Sequence, residues 1–249
     1  MAGGTELSKT NFALGKGELL FDEKVDGSYT GLIPFGNVPE LSTSFEIESL
    51  QVYSSMEGLK KLELDQVISV APKISFVVNN MTARNFGLNT MGNQTSVSQA
   101  SGIDTTFEFT SKKFQYFDTG YRDISDVTIP TYSENTDFIV YSKMGYIFIP
   151  ADSTIADDTT VTATFDVAAK DYESVSMFTR TAIEGKMVFL GANPSGYQPL
   201  WKDVHVSLKP AGELAFISDG DVLSMAFEGT IISNATANPT YPYGKIDLL

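Results

Sequence analysis

Alternation of apolar and polar side chains with a period of two is what most restricts the fold of this chain. In Thr43 to Glu48, Phe45 and Ile47 fall on one face of an extended strand and Glu46 and Glu48 on the other. In Gln66 to Val78, Ile68, Val70, Ile74, Phe76 and Val78 oppose Ser69, Lys73 and Ser75. Near the C-terminus Leu223, Met225, Phe227 and Ile231 oppose Ser224, Glu228 and Thr230. The i, i+3, i+4, i+7 spacing of a core-facing helix is scarce. The chain is therefore expected to be mainly β, a sandwich or partial barrel. A second greasy face never appears, so the polar faces must meet water, either on the outside or in a wet channel.

Short β-branched or aromatic runs bounded by turn residues place strands at Glu18 to Asp22, Thr43 to Tyr53, Gln66 to Val78, Thr105 to Thr110 and Phe114 to Phe117. Further runs lie at Phe138 to Tyr141, Tyr146 to Ile149, Thr160 to Val167, Lys186 to Leu190, Val204 to Lys209 and Val222 to Ile232. One short flanking helix is expected in Met81 to Met91, behind the possible N-cap residues Asn79 and Asn80. The stretch 118–168 carries nine acidic residues and turn clusters such as SENTD and PADSTIADD. It reads as an inserted small β-rich subdomain within a discontinuous domain of residues 1–117 and 169–249. The stretch from Asn89 to Gly102, rich in Gly, Ser, Thr and Asn, reads as a polar loop.

Composition removes several kinds of chemistry. There is no cysteine and one histidine, which excludes a disulfide framework, a thiolate nucleophile, an iron–sulfur cluster and a multi-His metal centre. The formal charge of −14 argues against tight general binding of nucleic acid or anionic membrane, though not against a surface built to repel DNA. The start, MAGGTELSKTNFALG, lacks the basic and apolar regions of a secretory signal. The most apolar windows are interrupted by Lys73 and Lys143 and fall short of a membrane span.

The search for a reacting centre yields little. His205 shares a strand face with Asp203, Ser207 and Lys209 but has no nucleophile elbow beside it. Gly15-Lys16-Gly17 is too short for a phosphate loop. The acidic pairs Glu46 and Glu48, Asp157 and Asp158, and Asp219 and Asp221 lack the context of a glycosidase or calcium loop and read as strand or turn chemistry. Three glycosylation sequons, at Asn80, Asn93 and Asn234, have no signal to carry them to the modifying enzymes. No catalytic residue, metal ligand or cofactor is expected.

The order of several blocks resembles a known family. Gly17-Glu18-Leu19-Leu20-Phe21-Asp22, then Gly36-Asn37-Val38-Pro39-Glu40-Leu41-Ser42, a Glu-bearing strand, and Tyr53-Ser54-Ser55-Met56-Glu57-Gly58-Leu59 look like the opening of the major tail tube proteins of long-tailed bacteriophages. Gln66 to Gly92 is similar too, as are Val206 to Glu213, Ser224 to Gly229 and the closing Pro242-Tyr243-Gly244. These are turns and strands without catalytic identity; it is their joint order that carries the likeness.

The resemblance implies a non-enzymatic structural virion protein, assembled in the bacterial host cytoplasm. Six copies would close an inner barrel and the rings would stack into a tube for the ejected genome. It implies Glu46, Glu48, Ser69, Lys73 and Ser75 as lumen-lining residues, Lys73 being a departure from a purely repulsive lining. It also implies Ser54, Ser55, Met56, Glu57, Gly58 and Leu59 as a loop reaching the next ring, and an amino-terminal arm and Asn89 to Gly102 loop that order on assembly. Tail terminator, tape measure and distal tail proteins would be partners, double-stranded DNA would pass without specific contact, and the insertion would decorate the exterior. Two other readings stand beside it. One is the inner tube of a contractile secretion system; the other is a carbohydrate-binding or adhesive sandwich, for which Tyr197, Trp201, Tyr241 and Tyr243 would have to form an exposed platform.

Overall fold

A computed structural model describes residues 15–54, 56, 58, 60–193, 196–217, 219, 220 and 222–249. The chain is mainly β and forms open sheets, with a single seven-residue helix among the described residues. It divides into two compact units, residues 1–94 with 175–249 and residues 95–174. The amino-terminal arm expected to order on assembly lies outside the described residues up to position 14.

The first unit is built on one antiparallel sheet. In chain order its strands are β1 (Gly17–Val25), β2 (Ser28–Pro34), β3 (Glu40–Ser54), β4 (Lys61–Val78), β13 (Ile183–Gly191), β14 (Pro199–Ala211), β15 (Met225–Ile231) and β16 (Lys245–Leu248). Their spatial order is β2-β1-β13-β14-β15-β4-β3, with β16 on the far part of β14. Register explains the single core. Phe21 lies opposite Met187, Met187 opposite Val204, Val206 opposite Ile231, and Phe227 opposite Phe76. The apolar member of each alternating strand thus reaches the same face, where all seven are buried. Phe76 and Phe227 stack at 4.9 Å between centroids, and Phe35 tilts onto Phe76 at 4.9 Å. Phe21 lies over Gly185, where a Cβ would come within 2.5 Å of the ring.

The helix α1 (Ala83–Asn89) covers this face and is tied to it by buried amides. Asn85 Nδ2 donates to Phe35 O at 2.8 Å, and Asn89 Nδ2 to Ala226 O at 2.9 Å. Its N-cap is Thr82, whose hydroxyl accepts from Asn85 N, and not Asn79 or Asn80. Those two asparagines serve neighbouring chain segments: Asn37 Nδ2 donates to Asn79 Oδ1 at 2.6 Å, and Asn80 Nδ2 to Phe35 O at 3.4 Å.

The second unit is a small sandwich. The sheet β6-β11-β8 comprises β6 (Gly102–Thr110), β11 (Thr160–Val167) and β8 (Ile124–Thr128). The sheet β7-β10-β9 comprises β7 (Gln115–Asp118), β10 (Tyr146–Ile149) and β9 (Ile139–Tyr141). Val161, Ala163 and Phe165 from the first and Ile147 and Ile149 from the second are buried in one cluster. The compact unit is wider than the 118–168 stretch marked by composition, because β6 supplies the long partner of β11. The polar segment expected as a loop at Asn89 to Gly102 holds strand β5 (Asn93–Gln99), which pairs with β12 (Lys170–Ser176).

Phe227→Ala removes a ring packed between strands in the first unit, and should lower its unfolding free energy by about 3–5 kcal/mol in urea titration. A loss below about 1 kcal/mol would contradict the stacked core.

Candidate functional site

The face of the sheet opposite the core is polar, and it gathers the five residues proposed from sequence. Glu48 pairs with Ser69, Ser42 with Ser75 and Ser44 with Lys73, so Glu46, Glu48, Ser69, Lys73 and Ser75 all project from one side. Lys73 does not stand as an isolated cation there. Its Nζ lies 2.5 Å from Glu46 Oε1, and on the adjoining strands Lys209 Nζ lies 2.7 Å from Glu228 Oε1. Such solvated pairs contribute little stability. Their effect is to make the face a self-neutralised polar surface on which acid keeps a modest surplus.

Strands β3 and β4 outrun the rest of the sheet. The last pair of β15 with β4 is Thr230 with Lys73. Pro72 follows where β4 has β3 as its remaining neighbour, a position that tolerates a missing N–H. From there 45–54 and 61–72 form a two-stranded ribbon about 30 Å long at ~3.3 Å per residue. It is long, it lies at the sheet edge, and it is rich in exposed apolar side chains: Phe45 is 64% and Ile47 63% exposed, with Leu50, Val52, Leu64, Val67, Ile68 and Val70 also open.

The apolar positions change face along the ribbon. Phe45, Ile47 and Val70 continue the core side, but a bulge at Ile68 separates the Glu48–Ser69 pair from the Ser49–Val67 pair. Beyond it Leu50, Val52 and Leu64 project on the side of Glu46 and Glu48, while Ser49, Val67, Gln51 and Asp65 occupy the other. Gln51 Nε2 donates to Asp65 Oδ2 at 3.3 Å, and Tyr53 OH to Gln51 Oε1 at 2.9 Å, as that sidedness requires. Of the expected inter-ring loop, Ser54 ends β3, Met56 is 92% exposed and Gly58 is exposed. Ser55, Glu57 and Leu59 lie outside the described residues.

The remaining sequence candidates do not converge on a reacting centre. Both ring nitrogens of His205 are engaged: Nδ1 lies 3.2 Å from the Tyr29 hydroxyl, and Asn234 Nδ2 donates to Nε2 at 2.9 Å. Burial first, then the Lys186 charge, holds its pKa below the ordinary 6.5. Asp157 Oδ1 accepts from Lys113 N at 2.8 Å, a turn contact, and Asp158 has φ 60°. Of the acidic turn at Asp219, Asp221 lies outside the described residues. Among the described residues no group of three or more His, Asp or Glu is placed to hold a metal ion, and no helix is long and apolar enough to cross a membrane.

Two features were not anticipated from sequence. A cavity of about 450 Å³ is lined by Glu23, Lys24, Arg84, Asn93, Thr179 and Arg180, with Arg180 paired to Glu23. Arg84 lies over the Phe21 and Phe35 rings, donates to Phe21 O at 3.0 Å, and is held below its ordinary pKa by burial. The second is an aromatic row in the second unit, made by Phe114, Phe148, Tyr116 and Tyr141. Of the four rings that the carbohydrate-binding reading would need as a platform, Trp201 packs on Phe189 at 5.6 Å and Tyr241 lies 5.7 Å from Lys245 Nζ, while Tyr197 and Tyr243 are exposed.

A family model described as protein of unknown function UCP028589 matches residues 12–246. The chain belongs to that family. The match runs through both units and the whole ribbon. A search of the curated proteins found no match.

His205 supplies a pH test of the polar face. Below about 6.5 the unfolded chain takes up a proton that the folded chain resists, so stability falls as pH drops from 6.5 towards the folded value. His205→Gln should flatten that part of the stability–pH curve measured by denaturant titration. An unchanged slope would show that His205 is not the group responsible.

Proposed function

We propose that this chain is a structural virion protein, the major tail tube protein of a long-tailed bacteriophage, and not an enzyme. Six copies close a ring by completing an inner barrel, and stacked rings form the hollow tube through which the genome leaves. The observation that carries this reading is the β3–β4 ribbon, which exposes apolar side chains on both faces and a 15-residue strand at the sheet edge. A two-stranded ribbon is marginal in water, and an exposed hydrophobic edge is a template for pairing with another chain. Further copies of the same chain satisfy both demands. The block order from Gly17 to Gly244 agrees with this assignment.

In this reading Glu46, Glu48, Ser69, Lys73 and Ser75 line the lumen. A duplex slides past a surface that offers its phosphates no unpaired cation, and the Lys73–Glu46 pair meets that condition. The segment from Ser54 to Leu59 reaches the adjoining ring. The second unit lies on the tube exterior, and terminator, tape measure and distal tail proteins meet the tube at its ends. The protein is then found in the virion, after assembly in the host cytoplasm.

The double variant Phe45→Asp, Ile47→Asp tests the assembly surface. Both side chains are exposed in the single chain, so its folding should be unaffected while sedimentation velocity shows assembly abolished; assembly at the wild-type level would remove the ribbon from the interface. Glu48→Lys should still form tubes but slow genome ejection, and ejection at the normal rate would remove Glu48 from the lumen.

A further inference from the structure

The sheet β7-β10-β9 sends alternate residues in opposite directions. Phe117, Val140, Ile147 and Ile149 face the core of the second unit, whereas Tyr116, Tyr141, Tyr146 and Phe148 project outward. The outward rings form a continuous row with Phe114. Phe114 meets Phe148 edge-on at 5.9 Å, Phe148 tilts onto Tyr116 at 4.4 Å, and Tyr116 meets Tyr141 at 5.5 Å with the hydroxyls 3.5 Å apart. Phe114 is 75% and Tyr116 56% exposed, so these rings contribute little to the core. Contiguous exposed aromatic surface of this kind marks a binding site.

Polar groups at one end of the row are already fixed. Asp118 Oδ1 accepts from Arg122 Nη1 at 2.9 Å and from Gly120 N at 3.0 Å, and Tyr146 OH donates to Oδ2 at 3.2 Å. The row thus ends in a locally neutral set of hydroxyl, carboxylate and guanidinium groups. The unit around it carries 13 acidic against 5 basic side chains. That surplus repels nucleic acid and anionic lipid, and opposes a second copy of the same unit. A cationic peptide finds no net charge where the rings are, because Arg122 neutralises Asp118.

A neutral saccharide matches both parts of the surface. The C–H faces of pyranose rings stack on aromatic rings without any charge. Adjacent hydroxyls pair with the carboxylate–guanidinium edge, whose groups both donate and accept. We infer that the outer face of β7-β10-β9 is a saccharide-binding surface for a neutral pyranose chain laid along Phe114, Phe148, Tyr116 and Tyr141. This inference does not depend on the tail tube reading and holds or fails apart from it.

The test is affinity electrophoresis of the full chain, kept monomeric, in native gels cast with neutral polysaccharides: soluble starch, a mixed-linkage β-glucan and a galactomannan. At least one should retard the protein. The double variant Tyr116→Ala, Tyr141→Ala should bind that polysaccharide about tenfold more weakly, and Tyr116→Phe, which keeps the ring, should remain close to wild type. Tyr241→Ala, in the other unit, should not change retardation. Circular dichroism of the double variant checks that it is folded. Absence of retardation in all three gels would overturn the proposal, as would equal retardation of wild type and double variant. Binding of a labelled oligolysine in place of the polysaccharides, lost in the same variant, would assign the row to a cationic peptide instead.

Discussion

The first unit rests on an imbalance between its strands and its core. The sheet has one apolar face, α1 covers part of it, and Phe35, Phe76 and Phe227 fill the space beneath. Strands β3 and β4 continue past that cover with the same β-branched and aromatic composition, so burial stops before the apolar sequence does. Apolar area left in water forgoes roughly 25 cal/mol per Å², and an unpaired edge leaves backbone groups solvated. An exposed edge of this kind is a template for pairing with another chain, which is what the proposed assembly would use.

The bulge at Ile68 makes that argument specific. Had the alternation run unbroken, one partner lying on the core side could cover every apolar side chain of the ribbon. With Leu50, Val52 and Leu64 turned to the opposite side, two different surfaces have to arrive from two directions. A tube, in which each chain has neighbours both around the ring and along the axis, provides them. A side-by-side dimer would leave one face of the ribbon tip uncovered.

Much of the fold was legible from the period-two pattern, because strands such as β4 and β15 are buried on one face and show it in their residues. Strand β2 escaped because all of its residues are exposed and nothing in SYTGLIP alternates. Strand β5 escaped because its Asn, Gln, Thr and Ser content imitates a loop. The helix cap passed to Thr82 since Asn79 and Asn80 were already bound to the β3–β4 neighbourhood through Asn37 and Phe35. At the candidate site, the five polar residues could be assigned to one face from parity alone. The change of face of Leu50 and Val52 is visible in the three-residue step from Ile47 to Leu50, whereas that of Leu64 required the register around Ile68. The aromatic row was invisible to a linear reading: its members sit on separate strands, brought together only by pairing.

In the proposed assembly, copies of this chain complete one another through the ribbon. Negative-stain electron microscopy of the purified protein over a concentration series decides whether they do. Six-membered rings or hollow tubes should appear as concentration rises; a monomer that persists at every concentration, with no ring or tube even when pre-formed tail tips are supplied as initiators, would rule the assembly out.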